Sequence, residues 1–416
     1  MSIYQRIVND LSAAIRTGQL KKGEKLPSVR QLSRDYQCSK DTVVKALAEL
    51  KHQKDIYSVS KSGYYVLEGI EQEEELSLKL KTYNYQTYDY FRICLDETLK
   101  GRENYLFNYY HSQAGLDGLL KSLKGHLEER SVYAKEGQIL VTAGSQQALY
   151  ILSQIDFPNN KQTILLEQPT YHRMYDLVSV QNLPFLTISR DFSGLDLAEL
   201  EAIFKRGDIK FFYTISRFSN PLGLTYNLEE KQAIIELAER YDVYILEDDY
   251  MGDFTKSSDL PLHYYDIHER VIYLKSFSMS IFPALRLGAV VLPESLKDRF
   301  LAYKRLIDYD TNLIMQSALS LYLDNGMFDQ NIKRLRQHFQ KEMSVASEWL
   351  TDYQLPYPYR VSPHFVVIAF PEEKMRNLMS DEQLSRLTIS HRSQGGDCYL
   401  QFPLNEKLPK LLKKLT

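Results

Sequence analysis

Ile3, Ile7, Leu11 and Ile15 recur once per helical turn and predict an amphipathic helix at the start of the chain. The segment GQLKKGEKLP, with two glycines and a proline, ends it. Ser28 then stands where a short second helix needs its cap, with Leu32 as that helix's buried residue. After YQCSK, Ser39 caps a third helix whose Val43, Ala46, Leu47 and Leu50 share one face. IYSVSKSGYYVLE alternates in the strand manner around Lys61-Ser62-Gly63, which predicts a hairpin.

From about Tyr105 the pattern changes. QILVTAG, TILLEQP, KFFYTIS, VYILEDDY, VIYLKSF and RLGAVVLP are short apolar runs that end in turn residues. Helical stretches such as SQQALYILSQI and LEEKQAIIELAERY lie between them, so the body is expected to be a mixed α/β sheet with crossover helices. From roughly residue 310 a long helical pattern, GMFDQNIKRLRQHFQKEMSVASEWL, and then short strands predict a second, smaller lobe. The acidic EGIEQEEELSLKLK after Leu67 is the expected linker, so the chain divides into a head at 1–67, a link at 68–85 and a body at 86–416.

Charge sharpens this division. The chain of 416 residues has a net charge of −3, yet residues 1–67 hold twelve Lys and Arg against six Asp and Glu. The head therefore carries +6 and the remainder −9, a basic module suited to a polyanion. Three widely spaced cysteines, Cys38, Cys94 and Cys398, suggest neither a disulfide framework nor a metal site. No apolar run approaches a membrane span and no leader pattern opens the chain, so a cytoplasmic location is expected.

Three helices and a hairpin make a winged helix-turn-helix. In that arrangement the third helix enters the major groove, which turns Ser39, Lys40 and Thr42 toward base edges or phosphates, with Lys45 one turn on. Arg30 opens the second helix, and Lys61 and Gly63 sit at the wing tip. Any one of these lysines taken singly is an ordinary solvated charge; the set is not. The pattern G-x-L-x-x-G-x-x-LPS-x-R-x-L followed by S-x-x-TV resembles the DNA-binding domain of GntR-type bacterial regulators. That resemblance implies a dimeric regulator on double-stranded operator DNA.

In the body, an open α/β sheet places its ligand at the carboxyl ends of its strands. The residues there include Ser145 at a helix start, Asn220 in SNPLG, Asp248 and Tyr250 in EDDY, and Ser276, Ser278 and Arg286 in SFSMSIFPALR. The series ILVTAGSQQAL, EQPTYH, NPLG, EDDY and SFS-x-x-x-x-P-x-LRLG resembles fold-type I aminotransferases. With the head in front, the whole chain is similar to MocR-type regulators, a GntR subfamily whose effector domain is an aminotransferase relative. The resemblance implies that Ser145, Ser276, Ser278 and Arg286 surround a phosphate and that Tyr171 stacks on a cofactor ring. It implies further that Asp248 pairs with the pyridine nitrogen of pyridoxal phosphate, while Asn220 and Tyr250 approach its phenolic oxygen.

Two positions depart from that family. Where it has the lysine that holds pyridoxal phosphate as a Schiff base, this chain has Met279, in a register pinned by Ser276-Phe277-Ser278 before it and by Pro283 and Arg286-Leu287-Gly288 after it. A thioether has no amine with which to form an imine or shuttle a proton. The arginine that holds a substrate carboxylate is also missing from CYLQFPLNE, and no motif places Arg386 or Arg392 in its stead. The expected function is therefore a regulator whose aminotransferase-like domain is catalytically inactive, with no metal and no covalent cofactor. Its pocket either binds pyridoxal phosphate or another small phosphorylated or anionic effector non-covalently, or is a structural remnant in a dimerisation scaffold. The alternative is a working pyridoxal-phosphate protein that recruits another lysine such as Lys275.

Overall fold

The computed structural model describes residues 3–17, 19–20, 24–52, 55–59, 63–66, 85–100, 112–371, 397–405 and 408–413. The chain forms two compact units, Met1–Ser77 and Leu78–Thr416. The expected link at 68–85 lies outside the described residues except for Tyr85, the first residue of a helix.

The first unit contains α1 (Ile3–Arg16), α2 (Val29–Asp35), α3 (Lys40–His52) and the antiparallel strands β1 (Ile56–Val59) and β2 (Gly63–Val66). Ile7, Leu11, Leu32, Val43, Ala46, Leu47 and Leu50 are buried together, as their spacing predicts. Ile3 is the exception at 47% exposure: it occupies the first helical turn, and Val8 takes a place in the core instead. The Ser28 hydroxyl accepts the Gln31 N–H at 3.2 Å and so caps α2. Ser39 caps α3 in the same way, accepting the Thr42 N–H at 3.2 Å.

The second unit is built on an eight-stranded sheet. Its strands are β3 (Ile139–Thr142), β4 (Thr163–Gln168), β5 (Phe185–Asp191), β6 (Gly194–Leu195), β7 (Ile209–Thr214), β8 (Tyr244–Asp249), β9 (Val271–Ser276) and β10 (Gly288–Val291). They lie in the order β3-β10-β9-β8-β7-β4-β5-β6. The run β9-β8-β7-β4-β5 is parallel, while β10 runs antiparallel to both of its neighbours. Strands this apolar need both faces covered. Helices Ser145–Gln154, His172–Val180 and Glu294–Ile307 cover one face, packing Leu149, Met174 and Phe300 against Leu246, Ile272 and Leu274. Helices Leu197–Phe204 and Leu228–Arg240 cover part of the other, against Ile245 and Val271.

A three-stranded antiparallel sheet, β11 (Tyr359–Ser362), β12 (Phe365–Pro371) and β13 (Asp397–Pro403), completes the unit, with β12 in the middle. The expected start of the smaller lobe near residue 310 does not match the packing. Ala318, Leu319 and Tyr322 of helix Leu313–Asp324, and Phe328, Ile332, Leu335 and Phe339 of helix Met327–Asp352, share a core with Val141, Tyr273 and Ala289 of the large sheet. The first half of the long helix carries its apolar stripe on the large sheet, so the small sheet's own core draws on Phe365, Val367, Ala369 and Tyr399 together with Leu222.

The face that holds Tyr273 also buries a set of ion pairs. Arg190 meets Glu167 at 3.0 Å, Arg217 pairs with Asp249, and Asp253 is shared by Lys275 and Arg130. Burial opposes the charge on Asp253, but Lys275 and Arg130 hold its carboxyl well below the usual range. Truncating one partner of such a buried group leaves the others uncompensated, at a typical cost of about 3–5 kcal/mol. Asp253→Ala is therefore expected to destabilise the body by about that amount in chemical denaturation, whereas Lys40→Ala, at an exposed site in the head, leaves the body's transition in place.

Candidate cofactor pocket and DNA-binding face

Asp248 is the centre of the body's site. Along β8 the side chains alternate, so Glu247 and Asp249 point to one face and Asp248 to the other, beside Tyr213 at the end of β7. Tyr213 donates its hydroxyl to Asp248 Oδ2 at 2.9 Å, and Oδ1 is buried with no hydrogen-bond partner. Burial pushes the Asp248 carboxyl up to about 7, against the pull of the Tyr213 hydrogen bond. A buried carboxylate oxygen without a donor is costly and marks a place for an external N–H.

The arginine end of the site is formed where β3 and β10 lie side by side. Gly144 has φ 82°, in the left-handed region, and precedes helix Ser145–Gln154. A Cβ on Gly144 would meet the Arg286 guanidinium at 3.1 Å, and one on Gly288 would lie 3.1 Å from the Ser145 nitrogen. The two glycines therefore let the arginine and the helix start approach closely. Arg286 is exposed, adopts φ 52°, and makes no ion pair with a carboxylate among the described residues. Ser276 is buried at the end of β9, and its hydroxyl accepts the Ser278 N–H at 3.3 Å.

Tyr171 precedes helix His172–Val180 and packs on the core beneath Asp248's face. Burial and the Asp248 charge raise its phenol's pKa, while Arg173 and Arg286 oppose the rise. Tyr250 donates its hydroxyl to the Phe218 carbonyl at 3.0 Å, and burial keeps its proton on well above the ordinary range. Asn220 is half-buried and precedes a cis proline bond. Asp248, Tyr171 and Arg286 thus form one electrostatic neighbourhood, with Ser145 beside the arginine.

Met279 lies in the turn after β9, half-buried, against the apolar core that includes Tyr273, Phe277 and Ile281. Lys275 does not stand in for an amine there. It shares its face with Tyr273, opposite to Leu274 and Asp248, and its Nζ is bound to Asp253. Strand alternation decides this, since residues one apart in a buried strand point to opposite faces. Arg386 and Arg392 lie outside the described residues.

Several participants escaped the sequence. Tyr213, the one donor to Asp248 among the described residues, stands two residues into a run of aromatic strand residues that looked like core. Gln146 has its amide nitrogen buried without a partner at the start of the helix after Gly144. His364, whose ring centroid is 6.2 Å from that of Tyr250, is buried with its pKa lowered to about 4 by desolvation. A hydroxyl at the carboxyl end of a central strand was the available signal for Tyr213.

In the head, Ser39 and Thr42 are joined to each other at 2.9 Å, so the pair forms the cap of α3 as well as its leading edge. Lys40 and Lys45 are exposed on α3, and Arg30 is exposed on α2. Gly63 opens β2 with φ 131°, and Lys61 lies outside the described residues. Among the described residues no helix is long and apolar enough to cross a membrane, and no His, Cys, Asp and Glu group could hold a metal ion.

Comparison with known proteins identifies both parts. Residues 3–66 match the bacterial regulatory proteins of the gntR family, and residues 95–387 match aminotransferase class I and II. The HTH-type transcriptional regulator YcxD of Bacillus subtilis (strain 168) is 40% identical over 354 residues, 83% of this chain and 79% of that protein. The HTH-type transcriptional regulator YjiR of Escherichia coli (strain K12) is 25% identical over 390 residues, 85% and 82% of the two chains. Among solved structures, a multiple substrate aminotransferase from Thermococcus profundus superposes with a TM-score of 0.68 at 25% identity, over 79% of this chain and 87% of that one. The GntR head, the class I and II aminotransferase body and the full-length likeness to HTH-type regulators together assign the chain to the MocR-type regulators of the GntR family.

Proposed function

We propose that this transcription regulator uses its aminotransferase-like domain as a non-catalytic ligand sensor and dimerisation module. The observation that carries the reading is a pocket with one missing part: Asp248 keeps a buried, unpartnered oxygen and Arg286 an uncommitted charge, while Met279 stands at the lysine position. The residues fit pyridoxal phosphate as a non-covalent guest. Asp248 would receive the pyridine N–H, the Gly144–Ser145 helix start with Ser276, Ser278 and Arg286 would hold the phosphate, and Tyr171 would lie against the ring. When bound, pyridoxal phosphate supplies an aldehyde and an electron-withdrawing ring, and Met279 at the lysine position offers no amine to engage it. Tyr213 fixes the Asp248 carboxylate, and Tyr250 stays a neutral phenol bonded to Phe218. The lysine-recruiting alternative is disfavoured, because Lys275 is on the other face in an ion pair with Asp253.

The head's exposed Arg30, Lys40 and Lys45, with the hydroxyls of Ser39 and Thr42 at the start of α3, favour major-groove binding to operator DNA. A second copy fits the body's surface: Tyr303, Leu306 and Ile307, at 37%, 82% and 47% exposure, present large apolar side chains at one end of helix Glu294–Ile307.

Four outcomes are expected. Lys40→Ala weakens DNA binding and lowers the slope of log affinity against log salt by about 1, as loss of one phosphate contact does. Arg286→Ala leaves ligand-free DNA binding unchanged; gel shifts at several salt concentrations read both, and full affinity in Lys40→Ala removes that residue from the interface. Light scattering finds the full-length chain dimeric at micromolar concentration and Leu306→Glu shifted toward monomer; a wild-type monomer contradicts the assembly. Met279→Lys mixed with pyridoxal phosphate gains a visible absorption band that borohydride removes, and it gains no transamination, since the carboxylate-binding arginine is still absent. A wild-type protein that already shows a reducible chromophore overturns the non-covalent reading.

A further inference from the structure

We propose that a second cavity in the body, at the opposite end of the sheet from Asp248 and Arg286, binds a small uncharged aromatic molecule with one hydroxyl group, of the phenol class. The cavity has a volume of about 330 Å³, and its lining includes Val271 at the start of β9 and Val291 at the end of β10. Ser276 and Gly288 mark the other ends of the same two strands, where the Asp248 site lies. From Val271 to Ser276 a strand advances about 3.3 Å per residue, so roughly 16 Å separates the two places. The cavity shares no residue with the Asp248 site. Its size falls at the lower end of the range for small-ligand sites, about 300–1,000 Å³, and suits a molecule of one ring or two.

The lining combines apolar surface with one open polar atom. Val271, Val291 and Leu292 are its buried part, while Tyr133 and Ile267 stand 60% and 83% exposed. Its charged residues are already engaged. Asp266 accepts the backbone N–H groups of His268, Arg270 and Val271, at 3.0, 2.7 and 2.6 Å. Glu269 is bound by Lys135. Two carboxylates against one ammonium leave the lining with an excess negative charge, which disfavours an anion. A cation would have to compete with Lys135 and three backbone N–H groups for those carboxylates. His263 supplies the open atom. Its backbone N–H donates to Glu247 Oε2 at 2.9 Å, and its ring meets that of Tyr273 edge-on at 5.9 Å, which together hold it in place. Its Nδ1 is buried with no hydrogen-bond partner, alone in this among the lining residues. Desolvation lowers the ring's pKa to about 4, so at neutral pH the ring is uncharged and Nδ1 is either an acceptor or a donor. A phenolic hydroxyl can donate or accept, so it meets Nδ1 in either tautomer and relieves the cost of leaving it unpaired.

Ligand-observed NMR titrations of the full-length protein test the site with three para-substituted phenols: neutral p-cresol, anionic 4-hydroxybenzoate and cationic tyramine. The expected result is saturable binding of p-cresol, with each charged analogue at least about tenfold weaker. Ala134→Phe, at a half-buried lining position, fills the cavity and is expected to abolish p-cresol binding. His263→Phe keeps a ring and the backbone N–H but removes Nδ1, and is expected to weaken p-cresol binding about fivefold, the loss of one hydrogen bond. Arg286→Ala, at the other end of the sheet, is expected to leave it unchanged. Absence of saturable p-cresol binding by the wild type, or wild-type affinity in a folded Ala134→Phe protein, overturns the site. Equal or tighter binding of tyramine or 4-hydroxybenzoate overturns the choice of a neutral ligand. An unchanged affinity in a folded His263→Phe protein overturns the role given to Nδ1.

Discussion

Three consecutive acids in a fully buried strand, Glu247-Asp248-Asp249, are the constraint around which the body is organised. An ionised carboxylate cannot remain in such a place without donors, so each must be supplied with them or be protonated. Alternation sends Glu247 and Asp249 to one face, where Ser216, Arg217, Tyr273 and two backbone N–H groups meet them. The same alternation leaves Asp248 on the other face, with Tyr213 as its one donor among the described residues. One side of the strand is thereby closed and structural, and the other is left with a vacant acceptor. A site of this kind is a by-product of strand geometry combined with an incomplete set of donors.

The remaining parts of the pocket follow from how the strands end. β10 runs against its neighbours, so Gly288 at its start lies beside Gly144 and Ser145 at the end of β3, and the turn before it delivers Arg286 to the same spot. Because Gly144 carries no side chain, the guanidinium and the helix start share one small volume. The Arg286 end is positioned by backbone, the Asp248 end by two buried side chains. Neither depends on the residue at 279.

Much of this was legible in the residue pattern. The head's three helices and hairpin follow from apolar spacing and from Ser28 and Ser39 as caps, and the body's strands from short apolar runs ended by Gly, Pro and Ser. The motifs around Asp248, Ser145 and Arg286 were readable because they combine polar residues with strand ends. Tyr213 was hidden, since an aromatic residue in a buried strand reads as core until its hydroxyl's partner is known. The face assignment of Lys275 needed the strand register, which a run of residues close in sequence does not supply. The boundary of the smaller lobe was misplaced for a similar reason: Phe328, Ile332, Leu335 and Phe339 define a buried stripe without saying which sheet they bury against.

These relations bear on the proposal that Met279 stands where the family has its Schiff-base lysine. A lysine amine buried there is favourable when it is covalently engaged, and otherwise pays a desolvation penalty that lowers its pKa. Methionine has nearly the same length, no charge to desolvate and a flexible chain that fills irregular space, and Met279 packs against an apolar core. Asp248 remains tied to Tyr213, and Arg286 remains set by its own left-handed backbone and by Gly144. The geometry at Asp248 and at Arg286 is therefore held by residues other than Met279.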